Sequence, residues 1–450
     1  MSMDWGTGGL PRKLTKPRTG TFAVLDIGTS KVCCLIARAG RHSAEDSAAP
    51  SAQPRVIGAG HQLSRGLKNG TIIDIDAAED AIRKAVHMAE QMAQETISSV
   101  TVNLSTGAPQ SEILGVDVDI GGQQIDEMDL HRVFQHTHTV RQANNGTNGN
   151  GIGSANGNAR ELIHSIPVGF AIDGQKGIDD PRGMFGQKLS VNMHLVSASA
   201  NTMRTIRTAV ERCHLTIESF VLSPYASGLA TLVEDEADLG VTVVDMGGGT
   251  TGLAIFYDGQ MMFADTIPVG GNHVTSDVAR GLSTSLANAE RLKTFYGNAL
   301  ATESDEHDLL DVPQVGEEEH NTAIQLPRSL LNGIIQPRIE ETFELVRARL
   351  DDSGFGPLAG RRVVLTGGAS QLQGVRDLAG RILDKQVRMG RPLRVRGLAE
   401  AIAGPAFATG AGLIAHAVDN SSSLTMPSPV RQGEPGRFTG RFGQWFREHF

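Results

Sequence analysis

Two segments of the chain, 219 residues apart, read alike. The first is the apolar run Ala23-Val24-Leu25, then Asp26 and Ile27, the turn Gly28-Thr29-Ser30-Lys31, and a second apolar run from Val32 to Ile36. The second is Val243-Val244-Asp245-Met246, the turn Gly247-Gly248-Gly249-Thr250-Thr251-Gly252, and a run from Leu253 to Tyr257. Each has the pattern of a β-hairpin with small residues at its tip. Recurrence at close to half of a 450-residue chain predicts a duplicated domain, with two related lobes facing each other. A period this long excludes a solenoid array.

The turns suggest phosphate chemistry. A loop that wraps a phosphate needs backbone N–H groups pointing inward with no Cβ in the way, which Gly28 and Gly247-Gly248-Gly249 provide. Thr29, Ser30, Thr250 and Thr251 add hydroxyl donors, and Lys31 adds a positive charge. Asp26 and Asp245 end their strands, where carboxylates can hold Mg²⁺ through water, because that ion keeps several waters and takes few protein oxygens. One glycine turn between strands is often only a turn. Two of them, with a later strand end Thr366-Gly367-Gly368-Ala369-Ser370, favour a nucleotide site over packing.

Between these motifs, strand and helix patterns alternate, which predicts an α/β protein. Helical periodicity runs from Ile72 to Met92, through Ile75, Ala78, Ile82, Ala85, Val86 and Ala89. Further helices are expected at Thr202–Cys213 and Leu372–Leu383, and strands at Val100–Leu104, Ile113–Ile120, Glu161–Ile172 and Arg362–Thr366. Three stretches look irregular: the Asn/Gly-rich 144–158, the acidic 303–319, read as an exposed loop, and the Ser/Pro/Gly-rich 420–436, read as a linker.

Composition excludes several classes. A net charge of −9 argues against a nucleic-acid binder, which needs clustered Lys and Arg. Three cysteines (Cys33, Cys34, Cys213) make no disulfide framework, so a reducing compartment is expected, with Cys33 and Cys34 packed in a core. No apolar run is long enough to span a bilayer, and the basic N-terminus lacks the apolar stretch of a signal peptide. His131, His136 and His138 lie close together, but no Cys or acidic ligand follows at metal-site spacing, so no zinc is assigned.

The C-terminus has another character. Phe438, Phe442, Trp445, Phe446 and Phe450 are five of the chain's twenty aromatics, gathered into its last thirteen residues. On a helix they span about 140°, with Arg437, Arg441 and Arg447 opposite. An aromatic face opposite arginines, reached through a flexible linker, has the composition of an interfacial helix lying on anionic lipid. Docking onto its own domain is the alternative.

The paired hairpins and the Val364-Leu365-Thr366-Gly367-Gly368 motif resemble the actin, Hsp70 and sugar-kinase superfamily. That resemblance implies an actin-like two-lobed ATPase fold binding ATP and Mg²⁺. It also implies that Gly367, Gly368 and Ala369 line the adenosine, with Glu290 and Lys293 on a helix flanking the adenine. Pro224–Leu229 and Phe407–Leu413 resemble the connecting helices, with Ala226, Ser227, Gly228, Gly410 and Gly412 allowing a close crossing. The segment Arg65-Gly66-Leu67-Lys68-Asn69-Gly70-Thr71-Ile72-Ile73-Asp74 and the aromatic tail narrow the resemblance to the bacterial FtsA family.

That family implies subdomain 1A at 21–107 and 188–222, an inserted 1C at 108–187 with a disordered 143–159, 2A at 223–271 and 351–419, and 2B at 272–350. A disordered 1–20, the linker 420–436 and a membrane-targeting helix at 437–450 complete the chain. The resemblance further implies a protein that polymerises on the cytoplasmic face of the inner membrane. There it would anchor the FtsZ ring, whose C-terminal tail docks on 2B, and recruit later division proteins. Arg338, Arg347 and Arg349 could meet an acidic tail there or form an ordinary solvated face. The competing functions are a superfamily phosphotransferase or ATPase, and a PilM-like pilus-assembly protein. A kinase would need a further catalytic Asp.

Overall fold

The computed structural model describes residues 20–39, 53–133, 135–137, 159–315 and 323–419. The N-terminal stretch, the Asn/Gly-rich insert, His138, the linker and the aromatic tail lie outside the described residues. Both hairpins are present. Gly20–Ile27 pairs antiparallel with Lys31–Ala39, setting Asp26 opposite Cys33. Val241–Met246 pairs the same way with Thr251–Tyr257, setting Asp245 opposite Gly252.

Each hairpin is the heart of a five-stranded sheet. The first runs Arg55–Leu63, Lys31–Ala39, Gly20–Ile27, Ser99–Leu104, Thr216–Leu222. The second runs Gln260–Ile267, Thr251–Tyr257, Val241–Met246, Arg362–Thr366, Gln386–Met389. In both, two antiparallel pairings lie on one side of the strand bearing the aspartate and two parallel pairings on the other. The duplication inferred from two short motifs therefore extends to whole sheets. Sheets with parallel strands are covered on both faces, which explains why Val241–Met246 is buried throughout.

Helix Ile75–Ala93 starts later than its periodicity suggested. Ile72 belongs instead to the two-residue strand Thr71–Ile72, paired with Leu67–Lys68. Asp74 sets the start, its side chain accepting from the N–H groups of Asp76 and Ala77 at 3.1 Å, as an N-cap does. Cys33 and Cys34 are buried and free, as expected.

A third, four-stranded antiparallel sheet is inserted after Ser99–Leu104, in the order Gln110–Asp119, Lys188–Ser199, Arg160–Ile172, Gln175–Ile178. Its inner strand Lys188–Ser199 passes the limit at 187 drawn from sequence. Leu189, Val191, Met193 and Leu195 share a core with Val116, Val118, Phe170 and Ile172, while Val196 and Ala198 further along the strand pack into the two neighbouring cores.

The described part of the acidic stretch, 303–315, is more ordered than the loop expected there. It holds a 3-10 turn, Glu303–Glu306, and a strand, Leu309–Pro313, paired with Ala323–Pro327. Asp305 is buried there, accepting from Thr302 N and Asn332 Nδ2, each at 2.8 Å.

Helices Ser223–Thr231 and Ala408–Val418 cross between the lobes. A Cβ on Gly412 would lie 1.7 Å from the Ala226 carbonyl oxygen, so only glycine permits this approach. One core runs through the joint. It takes Val24 and Leu35 from the first sheet, Val243 and Val364 from the second, Leu413 from a crossing helix, and Ile166 and Val196 from the inserted unit. No described helix is long and apolar enough to cross a membrane.

Candidate functional site

Between the lobes lies a cavity of about 450 Å³. Gly28, Thr29, Ser30 and Lys31 line one side of it, and Gly247, Gly248, Gly249 and Thr250 the other. Gly367, Gly368 and Ala369 reach it from the strand end after Arg362–Thr366. Glu290 and Lys293 reach it from helix Leu286–Tyr296. Thr251 does not line it. Successive residues of a strand face opposite ways, and Thr251 turns inward to donate its hydroxyl to Val269 O at 2.8 Å.

The two turns are built alike and face each other. Gly28 N donates to Lys31 O at 3.0 Å, and Gly247 N to Thr250 O at 2.8 Å. A Cβ on Gly249 would come within 2.4 Å of Thr29 Oγ1, and one on Gly248 within 2.0 Å of Ser30 Oγ. Gly367 has φ +87°, a left-handed conformation that glycine adopts without penalty. A Cβ there would meet Met246 O at 2.4 Å.

The charged groups have distinct surroundings. Asp26 and Asp245 are both buried. Burial raises the Asp26 pKa to about 6, with Lys31 opposing and Asp245 reinforcing the shift. Burial also raises Asp245, against hydrogen bonds from Ser227 Oγ at 2.6 Å and Thr409 Oγ1 at 3.0 Å. Lys31 is lowered by burial, opposed first by Asp26. Its Nζ donates to Ala406 O and stands 3.4 Å above the Phe407 ring. Lys293 Nζ donates to Glu290 Oε2 at 2.7 Å, Thr275 Oγ1 at 2.8 Å and Gly271 O at 3.1 Å.

Sequence reasoning missed several residues at this site. Asn103, next to last in strand Ser99–Leu104, accepts from Ile27 N at 2.6 Å and donates to Ser223 Oγ at 3.1 Å. Ser30 Oγ approaches Asn272 Oδ1 at 3.3 Å across the cleft. The one available signal was the polar Asn103 inside an apolar run. The donor set suits an anionic, phosphate-bearing ligand accompanied by a hard cation. Glycine turns leave backbone room for phosphate oxygens, hydroxyls and Lys31 supply donors, and Asp26 supplies a carboxylate of the kind Mg²⁺ takes.

Other candidates fall elsewhere. Arg338 pairs with Asp277 at 2.6 Å and with Glu341, Arg347 donates to Ile382 O at 3.2 Å, and Arg349 lies 3.6 Å from Asp265. All three are engaged by their own chain. Among the described residues no group of His, Cys, Asp or Glu is arranged to hold a metal through three or more side chains, and His131 and His136 form no such site.

Duplicate five-stranded sheets, crossed helices and a shared cleft define an actin-like, two-lobed protein. The fold matches that of the solved PilM-PilN type IV pilus biogenesis complex, with a TM-score of 0.60 and 16% identity over 88% of this chain and 98% of that one. It also matches MreB5 of Spiroplasma citri bound to ADP, with a TM-score of 0.52 and 12% identity over 90% and 98%.

Sequence is more specific. Residues 242–412 match the family described as cell division protein FtsA, and 151–197 match the SHS2 domain inserted in FtsA, a range that takes in strands Arg160–Ile172 and Gln175–Ile178. FtsA of Rhizobium meliloti is 44% identical over 98% of both chains. That of Pseudomonas aeruginosa is 34% identical over 88% and 89%, and that of Escherichia coli K12 31% over 95% and 97%. The chain belongs to the FtsA family of cell division proteins.

Proposed function

We propose that this protein binds ATP with Mg²⁺ in the interlobe cleft, polymerises on the cytoplasmic face of the inner membrane, and tethers the FtsZ ring there for later division proteins. The observation carrying the nucleotide part is the pair of matching glycine turns, Gly28–Lys31 and Gly247–Thr250, closing on one cavity from lobes of equal topology. Here the two turns would take the phosphates, Asp26 and Asp245 would hold the cation through water, and Gly367, Gly368 and Ala369 would border the adenosine beside Glu290 and Lys293. The ADP bound to the similarly folded MreB5 supports the same reading. When bound, Mg²⁺ would neutralise phosphate charge; the residues above orient the ligand.

The membrane part rests on residues 437–450. Burying each aromatic contributes about 1.5–3 kcal/mol, offset by ordering the helix, so one copy binds weakly. Copies linked in a polymer bind far better through effective concentration. FtsZ's C-terminal tail would dock on the 272–350 unit. The pilus-assembly alternative has only fold likeness behind it, at 16% identity, against 31–44% identity to FtsA proteins.

The test is co-pelleting with anionic liposomes, ATP and FtsZ. The full chain should carry FtsZ into the lipid pellet. A chain truncated after Asn420 should stay in solution, still bind ATP, and leave FtsZ behind. Undiminished lipid binding by the truncated chain would sink the tether.

A further inference from the structure

We propose that Arg38, Arg55 and Arg396 form a phosphate site at the end of the first lobe remote from the cleft, and that it takes the headgroup of an anionic membrane lipid. Arg38 and Arg55 are register partners on strands Lys31–Ala39 and Arg55–Leu63. Arg396 continues the row as the bridge partner of Arg55. Val56 N donates to Arg396 O at 2.8 Å, and Arg396 N to Pro54 O at 2.9 Å. The neighbouring Ala37, Ala39, Val56 and Val395 face the core of the joint, so strand alternation turns all three arginines to the other side.

Side chains directly opposite on paired strands have Cβ atoms about 5 Å apart, and like charges there repel. Two such pairs in succession favour an anion. Glu95 supplies one negative charge, to Arg38, and Arg396 Nε donates to Gln53 Oε1 at 3.2 Å. Arg55, exposed in the middle of the row, has no side-chain partner among the described residues. A groove of about 420 Å³ opens there, lined by Arg38, Arg55, Val56, Ile57, Met92 and Gly397. Gly397 has φ +77°, and a Cβ on it would stand 3.0 Å from Arg55 Cγ, so the glycine lets its segment press against the Arg55 stem. Guanidinium forks arranged this way suit the paired oxygens of a phosphate.

The course of the chain indicates which phosphate. Lys31 meets Ala406 O, and a Cβ on Gly410 would stand 3.2 Å from Leu35. Helix Ala408–Val418 and strand Lys31–Ala39 therefore run the same way from the cleft. Both reach the far end, where Ala39 directly follows Arg38 and where Ala39 and Val418 share one core with Val56 and Val395. The chain leaves this end, after Asp419, towards the aromatic residues 437–450. A membrane met by those residues thus lies within reach of the arginine row. Val56, Ile57 and the exposed Met92 give the groove an apolar wall, which suits a lipid headgroup on its glycerol better than free phosphate. The proposal rests on the membrane reading and adds a folded contact to the tail.

The experiment floats the full chain, with ATP, on phosphatidylcholine vesicles with and without phosphatidylglycerol. Arg55→Ala should weaken binding to the anionic vesicles about fivefold, and Arg55→Ala with Arg396→Ala about twenty-five-fold, the loss expected per arginine near such a surface. The single variant sits at an exposed position and keeps the test decisive if the double variant melts early. Arg55→Lys keeps the charge, loses the fork and should fall short of wild type. The site falls if Arg55→Ala binds like wild type, or if Arg55→Lys does, which would leave only diffuse charge. Inorganic phosphate at about 1 mM, too dilute to screen charges, should not release the chain; release would make the row a site for a soluble anion and overturn the lipid assignment. A wild-type chain that ignores anionic vesicles overturns the membrane reading itself, and this shows before any variant is made.

Discussion

Gly412 shows how far single residues were legible and where they were not. Five small residues, Ala226, Ser227, Gly228, Gly410 and Gly412, stand out in the sequence as permitting a close helix crossing. Only the packed structure separates them. Gly412 abuts the Ala226 carbonyl, Gly228 abuts the Phe256 ring, and Ser227 holds Asp245. Position in a motif is local information, whereas these partners come from distant segments; Thr409 lies 164 residues from Asp245. The same limit hid the engagement of Lys31 with Ala406 and Phe407. A methyl group at 412 has no space, because the blocking atom is backbone and cannot rotate away. Gly412→Ala should therefore destabilise the protein by about 3 kcal/mol, the upper range for overpacking a core. Urea unfolding would measure it, and an unchanged midpoint would mean the helices are not so closely crossed.

Elements were legible where an apolar run ends in glycines, as Arg362–Thr366 does at Gly367-Gly368, and illegible where partner choice decides. Lys188–Ser199 alternates like any half-buried strand, and nothing local tells which sheet it joins. Its placement has an energetic consequence. His194 on that strand, His164 on Arg160–Ile172 and His416 on the hinge helix are all buried where the inserted unit meets the joint, and the His164 ring lies 6.2 Å from that of His416. Burial lowers all three, His194 and His416 to about 4. In the unfolded chain each takes a proton near pH 6.5, while folded His194 and His416 stay neutral until about 4. The unfolded state thus binds more protons across that window, so stability falls as pH drops from 6.5 towards 4 and is full above it. Each histidine adds up to about 1.4 kcal/mol per pH unit to the slope. Denaturation midpoints at pH 7 and pH 5 should differ accordingly, and His416→Gln, which takes no proton, should narrow the gap.

At the scale of the whole molecule, the sequence shows two related lobes because the same hairpin occurs twice, and the sheets carry that relation through all five strands. What the repeat cannot convey is how close the lobes stand. Gly248 and Gly249 face Ser30 and Thr29 so tightly that a single added carbon would touch the opposing hydroxyls. The turn at Gly248 has no positive φ, so a side chain there strains no backbone and competes only for space in the cleft. Its nearest obstacle, Ser30 Oγ, is a side-chain atom that can swing aside, and Ser30 Cβ at 3.2 Å and Asn272 Oδ1 at 3.3 Å need give by only tenths of an ångström. Gly248→Arg should accordingly leave folding stability within about 1 kcal/mol, as expected where no core is disturbed. A guanidinium lying where the phosphates would sit should also lower ATP affinity by about a hundredfold or more, a loss of roughly 3 kcal/mol. Equilibrium binding of a fluorescent ATP analogue, paired with a melting curve of the same sample, separates the two effects. Wild-type affinity in a folded Gly248→Arg protein would place the phosphates away from this turn, and the proposed ATP site would have to move with them.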